Sequence, residues 1–410
     1  MGSALARQQR LMGFEKIRDS AHLVLNYLAD VQSERRDTAI EDGYQAASYT
    51  LYQVQRLPEM TRARVENAIK ILRDNGRIFS RIPAEKNSMQ PHTFSLGDVR
   101  AIYETAGLPS FTEFKAKLGG SPDGKTVAFL NLKGGVGKTT SCATIATGLV
   151  HHKNLIRHRL RVAVIDMDPQ GSTSVAFGFA GIGKSNQQHS AIEAIATRAT
   201  PDTVRSWIKP TSSEGLFLLP AGSSDAFFSL SAYQYATETG MHMSELLSRF
   251  VIDPIRDQFD LILIDCGPHL DAALLNTLQA SDSMLVPIGL DPLELDSSVK
   301  FLSSLHDLLS SMPSSRLDPD AIWLLGSKFD STNAQHLDNY AILKSLKQVH
   351  LLRQPMDQLR PFSMVAEDGR TVFTVQPKHY SGDSRSLRRA QSVAEDVVSE
   401  FFTHILEVSK

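Results

Sequence analysis

The run Lys133-Gly134-Gly135-Val136-Gly137-Lys138-Thr139-Thr140 follows the apolar stretch Val127-Ala128-Phe129-Leu130 and leads into a helix-like segment from Ser141 to Val150. Strand, glycine loop and helix together make a phosphate cradle. The glycines let several backbone N–H groups converge on one anion, and the helix N-terminus adds the positive end of its dipole. In such a cradle Lys138 neutralises the β- and γ-phosphates and the Thr139 hydroxyl holds Mg²⁺. The loop departs from the common pattern G-x-x-x-x-G-K-[ST] at Leu132, which stands where the first glycine would be, and an additional lysine, Lys133, opens it.

Two further segments run from strand into carboxylate. Val162-Ala163-Val164-Ile165 leads to Asp166-Met167-Asp168-Pro169-Gln170-Gly171, and Leu261-Ile262-Leu263-Ile264 leads to Asp265-Cys266-Gly267-Pro268. Continuous apolar runs of this length read as strands of a parallel sheet buried on both faces, and ligands gather at strand carboxyl ends in such sheets. Either segment alone is weak, because Asp after an apolar strand is often a turn former.

In this order the three segments resemble the deviant Walker A loop, the D-x-D-P-Q-G segment and the Walker B strand of the ParA/MinD ATPases. The resemblance implies that Lys133 reaches across a dimer interface to the partner's nucleotide and that Asp168 helps position the attacking water. It also implies that Asp166 lies near the metal and that Asp265 assists Mg²⁺ through its hydration shell. The implied catalytic set is therefore Lys133, Lys138 and Asp168. The implied ATP/ADP-binding set runs through Lys133, Gly134, Gly135, Val136, Gly137, Lys138, Thr139 and Thr140, and the metal set is Thr139, Asp166 and Asp265. The chain departs from the family after Asp265, where Cys266-Gly267-Pro268-His269 replaces the usual Thr-Pro-Pro. Small residues keep that turn tight. His269 reads as a loop residue rather than a base, because phosphoryl transfer of this kind depends on positioning and charge.

The global numbers agree. A chain of 410 residues, 42% hydrophobic, can bury a sizeable core and has the length of two or three domains. Its net charge of −2 excludes a globally basic nucleic-acid coat, so DNA contact has to come from local patches. The 2 cysteines, Cys142 and Cys266, both fall inside nucleotide-site segments, which excludes a disulfide framework and points to the cytoplasm. No apolar run is long enough to span a bilayer.

Toward the N-terminus, Phe14, Ile17, Ala21, Val24, Leu25, Leu28 and Val31 recur at helix spacing from Gly13 to about Ser33, a stripe that packs either on its own domain or on a second copy. A short helix from Thr50, a turn at Leu57-Pro58-Glu59-Met60 and a second helix capped by Thr61 then outline a helix-turn-helix, although a generic helical hairpin has the same spacing. In the helix-turn-helix reading Thr61, Arg62, Arg64 and Asn67 face the major groove while Val65, Ala68, Ile69 and Leu72 face inward. Asn75 to Pro83 reads as a turn and strand with two arginines, suited to a wing against phosphates, and Phe94 to Leu108 as another helix, capped by Ser95. Gly119 to Gly124 reads as a linker.

In the last helix, with Ser384 as its cap, Arg385, Arg388 and Arg389 share one face. Such a face is usually only solvated, but ParA-type proteins bind DNA without sequence preference through basic residues in this region, so the resemblance implies DNA contact here. MinD-like relatives end in a basic amphipathic membrane helix, whereas Glu395, Asp396, Glu400 and Glu407 make this one unsuited to an anionic membrane.

The expected fold is α/β, a mainly parallel sheet with helices on both faces, preceded by an α-helical winged helix-turn-helix domain and an N-terminal helix. The expected boundaries are 1–45 for that helix, 46–118 for the DNA-binding unit, 119–125 for the linker and 126–410 for the ATPase domain. The resemblance implies a nucleoid-associated partition ATPase that forms a homodimer on ATP, binds DNA non-specifically, recognises operator DNA to repress its own operon, and is stimulated by a ParB-type centromere-binding protein. A sequence-specific repressor using nucleotide as a ligand and a MinD-like positioning ATPase are the alternatives. An iron–sulfur reductase ATPase is remote, since Cys142 adjoins the loop rather than standing apart as a cluster ligand.

Overall fold

Strand alternation builds the molecule. The computed structural model describes residues 23, 24, 27, 30, 48–79, 93–179, 189–313, 315–346 and 350–408. Two short strands, β1 (Tyr49–Thr50) and β2 (Thr93–Phe94), pair antiparallel. The other strands are β3 (Lys125–Phe129), β4 (Val162–Asp166), β5 (Lys209–Pro210), β6 (Leu216–Leu219), β7 (Leu261–Asp265), β8 (Ser283–Gly289), β9 (Ile322–Ser327) and β10 (His350–Leu351). Among the described residues they form one sheet in the order β10-β9-β8-β3-β7-β4-β6-β5, parallel except for the β5 edge. Successive side chains point to opposite faces. Phe129, Val164, Leu263, Leu285 and Trp323 thus enter one core, and Leu130, Ile165, Ile264, Val286 and Leu324 the other.

The first core is closed by the helix after the glycine loop and by the last helix, the second by Ala272–Ala280, Pro292–Ser310 and Ala334–Lys344. The last helix, Ser384–Val408, turns Val393, Val397, Phe401 and Ile405 inward, so its apolar face is spent on the core. The carboxylate of Asp383 accepts from the N–H groups of Arg385 and Ser386, so Asp383, not Ser384, caps this helix. No helix among the described residues is long and apolar enough to cross a membrane.

The N-terminal unit is built from helices α1 (Leu51–Val54), α2 (Arg62–Asp74), α3 (Leu96–Thr105) and α4 (Phe111–Lys117). Capping boxes start three of them, Thr50 with Gln53, Ser95 with Asp98 and Ser110 with Glu113, while Thr61 caps α2 through the Arg64 N–H. The turn between α1 and α2 closes on Glu59, which adopts φ 63°, and on a hydrogen bond from the Tyr103 hydroxyl to the Pro58 carbonyl, 2.9 Å. After α2 the expected turn is present at Asn75-Gly76, but Arg77 to Phe79 form no strand and Arg77 pairs with Asp98; Ser80 to Pro83 lie outside the described residues. Most of the expected N-terminal helix also lies outside them. Of its stripe Val24 is described, and it is helical and exposed beside Leu23 and Tyr27.

This unit shares the first core with the sheet. Phe111 packs against both His158 and Phe402, and Thr112 donates to the buried Asp260 carboxylate at 2.5 Å. Glu59 meets Arg157, and Arg100 donates to the carbonyls of Arg159 and Leu160. The stretch 119–125 is exposed at Ser121 to Asp123 yet anchored at its end, where Gly124 donates to the Arg256 carbonyl.

Two tests follow from this packing. At the crossing of the loop helix with the last helix, a Cβ on Gly148 would stand 2.7 Å from the Phe373 ring and closer still to Val398. Gly148→Ala gains about 1 kcal/mol of helix propensity against about 1–3 kcal/mol of overpacking, so calorimetry should record a lower thermal midpoint. Burial, reinforced by Arg157, holds the His158 imidazole down to about 4, and burial does the same to His151. The unfolded chain then carries protons that the folded one lacks between pH 4 and about 6.5, so stability falls as pH drops through that window. His158→Phe keeps a ring against Phe111 and Phe402 and should flatten the loss by up to about 1.4 kcal/mol per pH unit, measured as the wild-type-minus-variant difference.

Candidate nucleotide site and nucleic-acid face

Register sets the height of every acidic group at the site. Asp265 is level with Asp166 on one side and with Phe129, the last residue of β3, on the other. Three neighbouring strands therefore end together, with β7 in the middle, and the glycine loop leaves from β3 beside it. Gly135 and Gly137 take φ values of 76° and 83°, which only glycine adopts without strain, and the helix Lys138–His151 starts directly from the loop.

Beneath the loop, Asp265 is fully buried. Its Oδ2 accepts from the hydroxyls of Thr139 at 2.8 Å and Thr173 at 2.5 Å, while its Oδ1 is buried with no donor. A carboxylate oxygen left without a donor beside a threonine hydroxyl suits a cation, so Thr139 and Asp265 fit Mg²⁺. Burial pushes both Asp166 and Asp265 above the usual carboxylate range, helped by the Asp265 charge at Asp166 and by the Asp168 charge at Asp265. Asp166 carries a structural duty: Oδ2 accepts from the Ser174 N–H and hydroxyl at 2.8 and 2.7 Å, and Oδ1 from the Asp168 N–H at 3.2 Å. Both oxygens are thus engaged by the protein, unlike the Oδ1 of Asp265.

A cavity of about 780 Å³ opens above. Gly134, Gly135, Gly137, Lys138, Thr139, Thr140 and Asp168 all line it, whereas Val136 is buried in the loop's base. Lys138 is mostly buried and donates to the Lys133 carbonyl at 3.2 Å; burial lowers its pKa against the pull of Asp265. Lys133 itself is half-buried outside the cavity lining, and its ammonium has no partner among the described residues. His269 is exposed on its loop, and both cysteines are buried and free.

Sequence reading missed several residues here. The far wall of the cavity is the helix Arg360–Glu367 and the turn after it, with Phe362, Val365, Glu367 and Val372 facing in. Its lining is apolar enough to take a flat ring. Behind the loop, the Ser327 hydroxyl donates to the Val136 carbonyl at 2.7 Å, and Lys328, with φ 52°, pairs with Glu294 at 2.9 Å. Asn131, just before the loop, is fully buried. Its two-residue spacing from Lys133 was the available signal.

The DNA candidates are dispersed. On α2, Thr61, Arg62, Arg64 and Asn67 are all exposed, and Val65, Ala68 and Ile69 face inward. Three of the four are engaged locally: Thr61 as cap, Arg62 with Glu66 at 2.7 Å, and Arg64 with the Glu59 carbonyl. On the last helix Arg385, Arg388 and Arg389 share an exposed face. Arg389 is bound to Asp357 at 2.7 Å, and the side chains of Arg385 and Arg388 have no partner among the described residues.

Comparison with known proteins gives a consistent picture. Residues 124–315 match the AAA domain family and residues 21–115 the ParA helix turn helix domain family. Plasmid partition protein A of Escherichia coli is 28% identical over 396 residues, 95% of this chain and 96% of that one. The solved structure of a partition protein superposes with a TM-score of 0.71 at 24% identity, covering 92% of this chain and 96% of the other. A putative plasmid partition protein from Borrelia burgdorferi, solved with AMPPNP bound, matches at TM-score 0.51 and 21% identity over 68% of this chain and 99% of its own.

Proposed function

This chain belongs to the ParA-type partition ATPases, and on that footing we propose that it binds and hydrolyses ATP with Mg²⁺, pairs with a second copy in doing so, and holds DNA while paired. The observation that carries the reading is the convergence of Lys138, Thr139 and Asp168 on one cavity, above the donor-free oxygen of Asp265, with the unpartnered Lys133 ammonium outside the wall. The loop amides and Lys138 bind the phosphates. Mg²⁺, held by Thr139 and through water by Asp265, would neutralise charge on the β- and γ-phosphates. Asp168 orients the attacking water, and Lys133 reaches the nucleotide of the second copy. The apolar wall at Phe362 and Val365 takes the base.

The DNA-binding unit spans 46–118, joined through 119–125 to an ATPase domain over 126–410, with residues 1–45 as a further dimer element. It reads operator DNA through α2 and represses the chain's own operon, while the exposed arginines of the last helix hold any duplex. A ParB-type centromere-binding partner stimulates the ATPase. The protein works in the cytoplasm on the nucleoid, and the inward-facing apolar side of its last helix disfavours the MinD-like alternative.

The chemistry is tested by equilibrium binding of a fluorescent ATP analogue alongside phosphate release. Lys138→Ala should lose about 1.5–3 kcal/mol of nucleotide binding, the value of a charged hydrogen bond, and Asp168→Ala should keep its affinity while turnover drops about 10²-fold. Equal loss of affinity in both would refute this division of roles. DNA binding divides in the same way. Replacing Arg385 and Arg388 by Ala should weaken random-duplex binding and flatten its salt dependence by about 0.9 log unit per lost phosphate contact. Arg62→Ala with Arg64→Ala should instead cut operator discrimination by about 1–3 kcal/mol per lost base contact. Salt titrations on operator and random duplex decide this, and a proportional loss in all four combinations would mean one composite DNA surface.

A further inference from the structure

The carboxamide of Asn131 makes three hydrogen bonds, and each goes to a different part of the fold. Its Oδ1 accepts from the backbone N–H of Lys133 at 2.9 Å. Its Nδ2 donates to the Pro287 carbonyl on β8 at 2.8 Å and to the Ser298 hydroxyl on the helix Pro292–Ser310 at 2.7 Å. The Ser298 hydroxyl in turn donates to the Glu294 carbonyl one turn earlier, at 2.8 Å, and the Glu294 carboxylate holds Lys328 near Gly135. Gly289 makes room for this carboxylate, since a Cβ there would overlap it. Asn131 thus ties the start of the phosphate loop at Lys133 to this helix, whose Glu294 also holds Lys328.

Asparagine suits the position chemically. It offers one acceptor and two donors on a rigid plane without charge, whereas an ionised Asp at a site 0% exposed would bury a carboxylate against the Pro287 carbonyl. The bond to the Lys133 N–H fixes where the chain turns out of β3, and hence the direction in which Lys133 leaves the loop. The groups that would hold the chain's own nucleotide, Lys138, Thr139 and the later loop amides, make no hydrogen bond to it, and Lys138 meets only the carbonyl side of Lys133.

We propose that Asn131 is a positioning residue for Lys133: it aims that side chain at the second copy's nucleotide and contributes little to binding the chain's own. This rests on the cross-interface role of Lys133 proposed above. The experiment compares Asn131→Ala, Lys133→Ala, their double variant and Ser298→Ala in the full-length protein. Fluorescent-analogue affinity, sedimentation with a non-hydrolysable ATP analogue, phosphate release and thermal midpoint are measured for each. Asn131→Ala should hold nucleotide affinity within about threefold of wild type while ATP-driven dimer and turnover fall about tenfold or more, as misaiming a reactive group does. The double variant should be no worse than Lys133→Ala, because both act on one event. Ser298→Ala, outside the loop, removes one anchor of the carboxamide and should give a weaker form of the same split, which keeps the test alive if Asn131→Ala folds poorly. Parallel loss of affinity and dimer, unchanged dimer and turnover, or additive losses in the double variant would each overturn the proposal. If Lys133→Ala alone dimerises and turns over normally, the cross-interface reading falls first and this inference with it.

Discussion

Two carboxylates side by side in a dry sheet are an unstable arrangement, and much of the site exists to make it tolerable. Asp166 and Asp265 are level on adjacent parallel strands and wholly buried, where like charges raise one another's proton affinity. The chain answers with hydroxyls and amides. Ser174 and the Asp168 N–H satisfy Asp166, and Thr139 and Thr173 satisfy one oxygen of Asp265. The remaining oxygen has no donor, and the ammonium of Lys138 stands close enough to feel its charge. Around this compensated pair the glycine loop leaves β3, next to the strand of Asp265, and the helix Ser172–Ala176 begins over Asp166.

Much of this was legible because it is local. Apolar runs ending in Asp or in the glycine loop gave β3, β4 and β7 their ends, since a strand buried on both faces needs unbroken apolar sequence and a polar exit. The buried face of α2 was readable from its spacing, and its Thr61 cap from the residue type. What escaped is set by distance in the chain. Phe362 and Val372 reach the loop only because the last helix and its approach fold back over the first core, and nothing in their own neighbourhood announces a cavity. The choice of Ser384 over Asp383 as a cap failed for a narrower reason. Both residue types cap well, and the backbone alone decides which stands one position outside the helix.

Arg389 shows the limit of reading charge from spacing. Its place on the helix face was right, but Asp357, far earlier in the chain and largely buried, claims the guanidinium with two hydrogen bonds. A face of three arginines in sequence therefore presents two unpartnered cations in space. The α2 surface behaves similarly, because the Glu59 carbonyl in the preceding turn engages Arg64 and the Glu66 carboxylate one turn along engages Arg62.

The ring of Phe111 packs against both His158 and Phe402, so the helix-turn-helix unit and the sheet have a common interior despite the glycines between them in sequence. That contact bears on inheritance. A recombination event joining the N-terminal unit of one relative to the ATPase half of another would bring together an aromatic knob and a hole that had not been shaped for each other, and a donor such as Thr112 would meet whatever stood at Asp260. The two parts of this architecture should therefore travel through evolution as matched pairs, and new surface chemistry on the N-terminal unit would come by altering the exposed residues of α2 rather than by exchanging the whole unit.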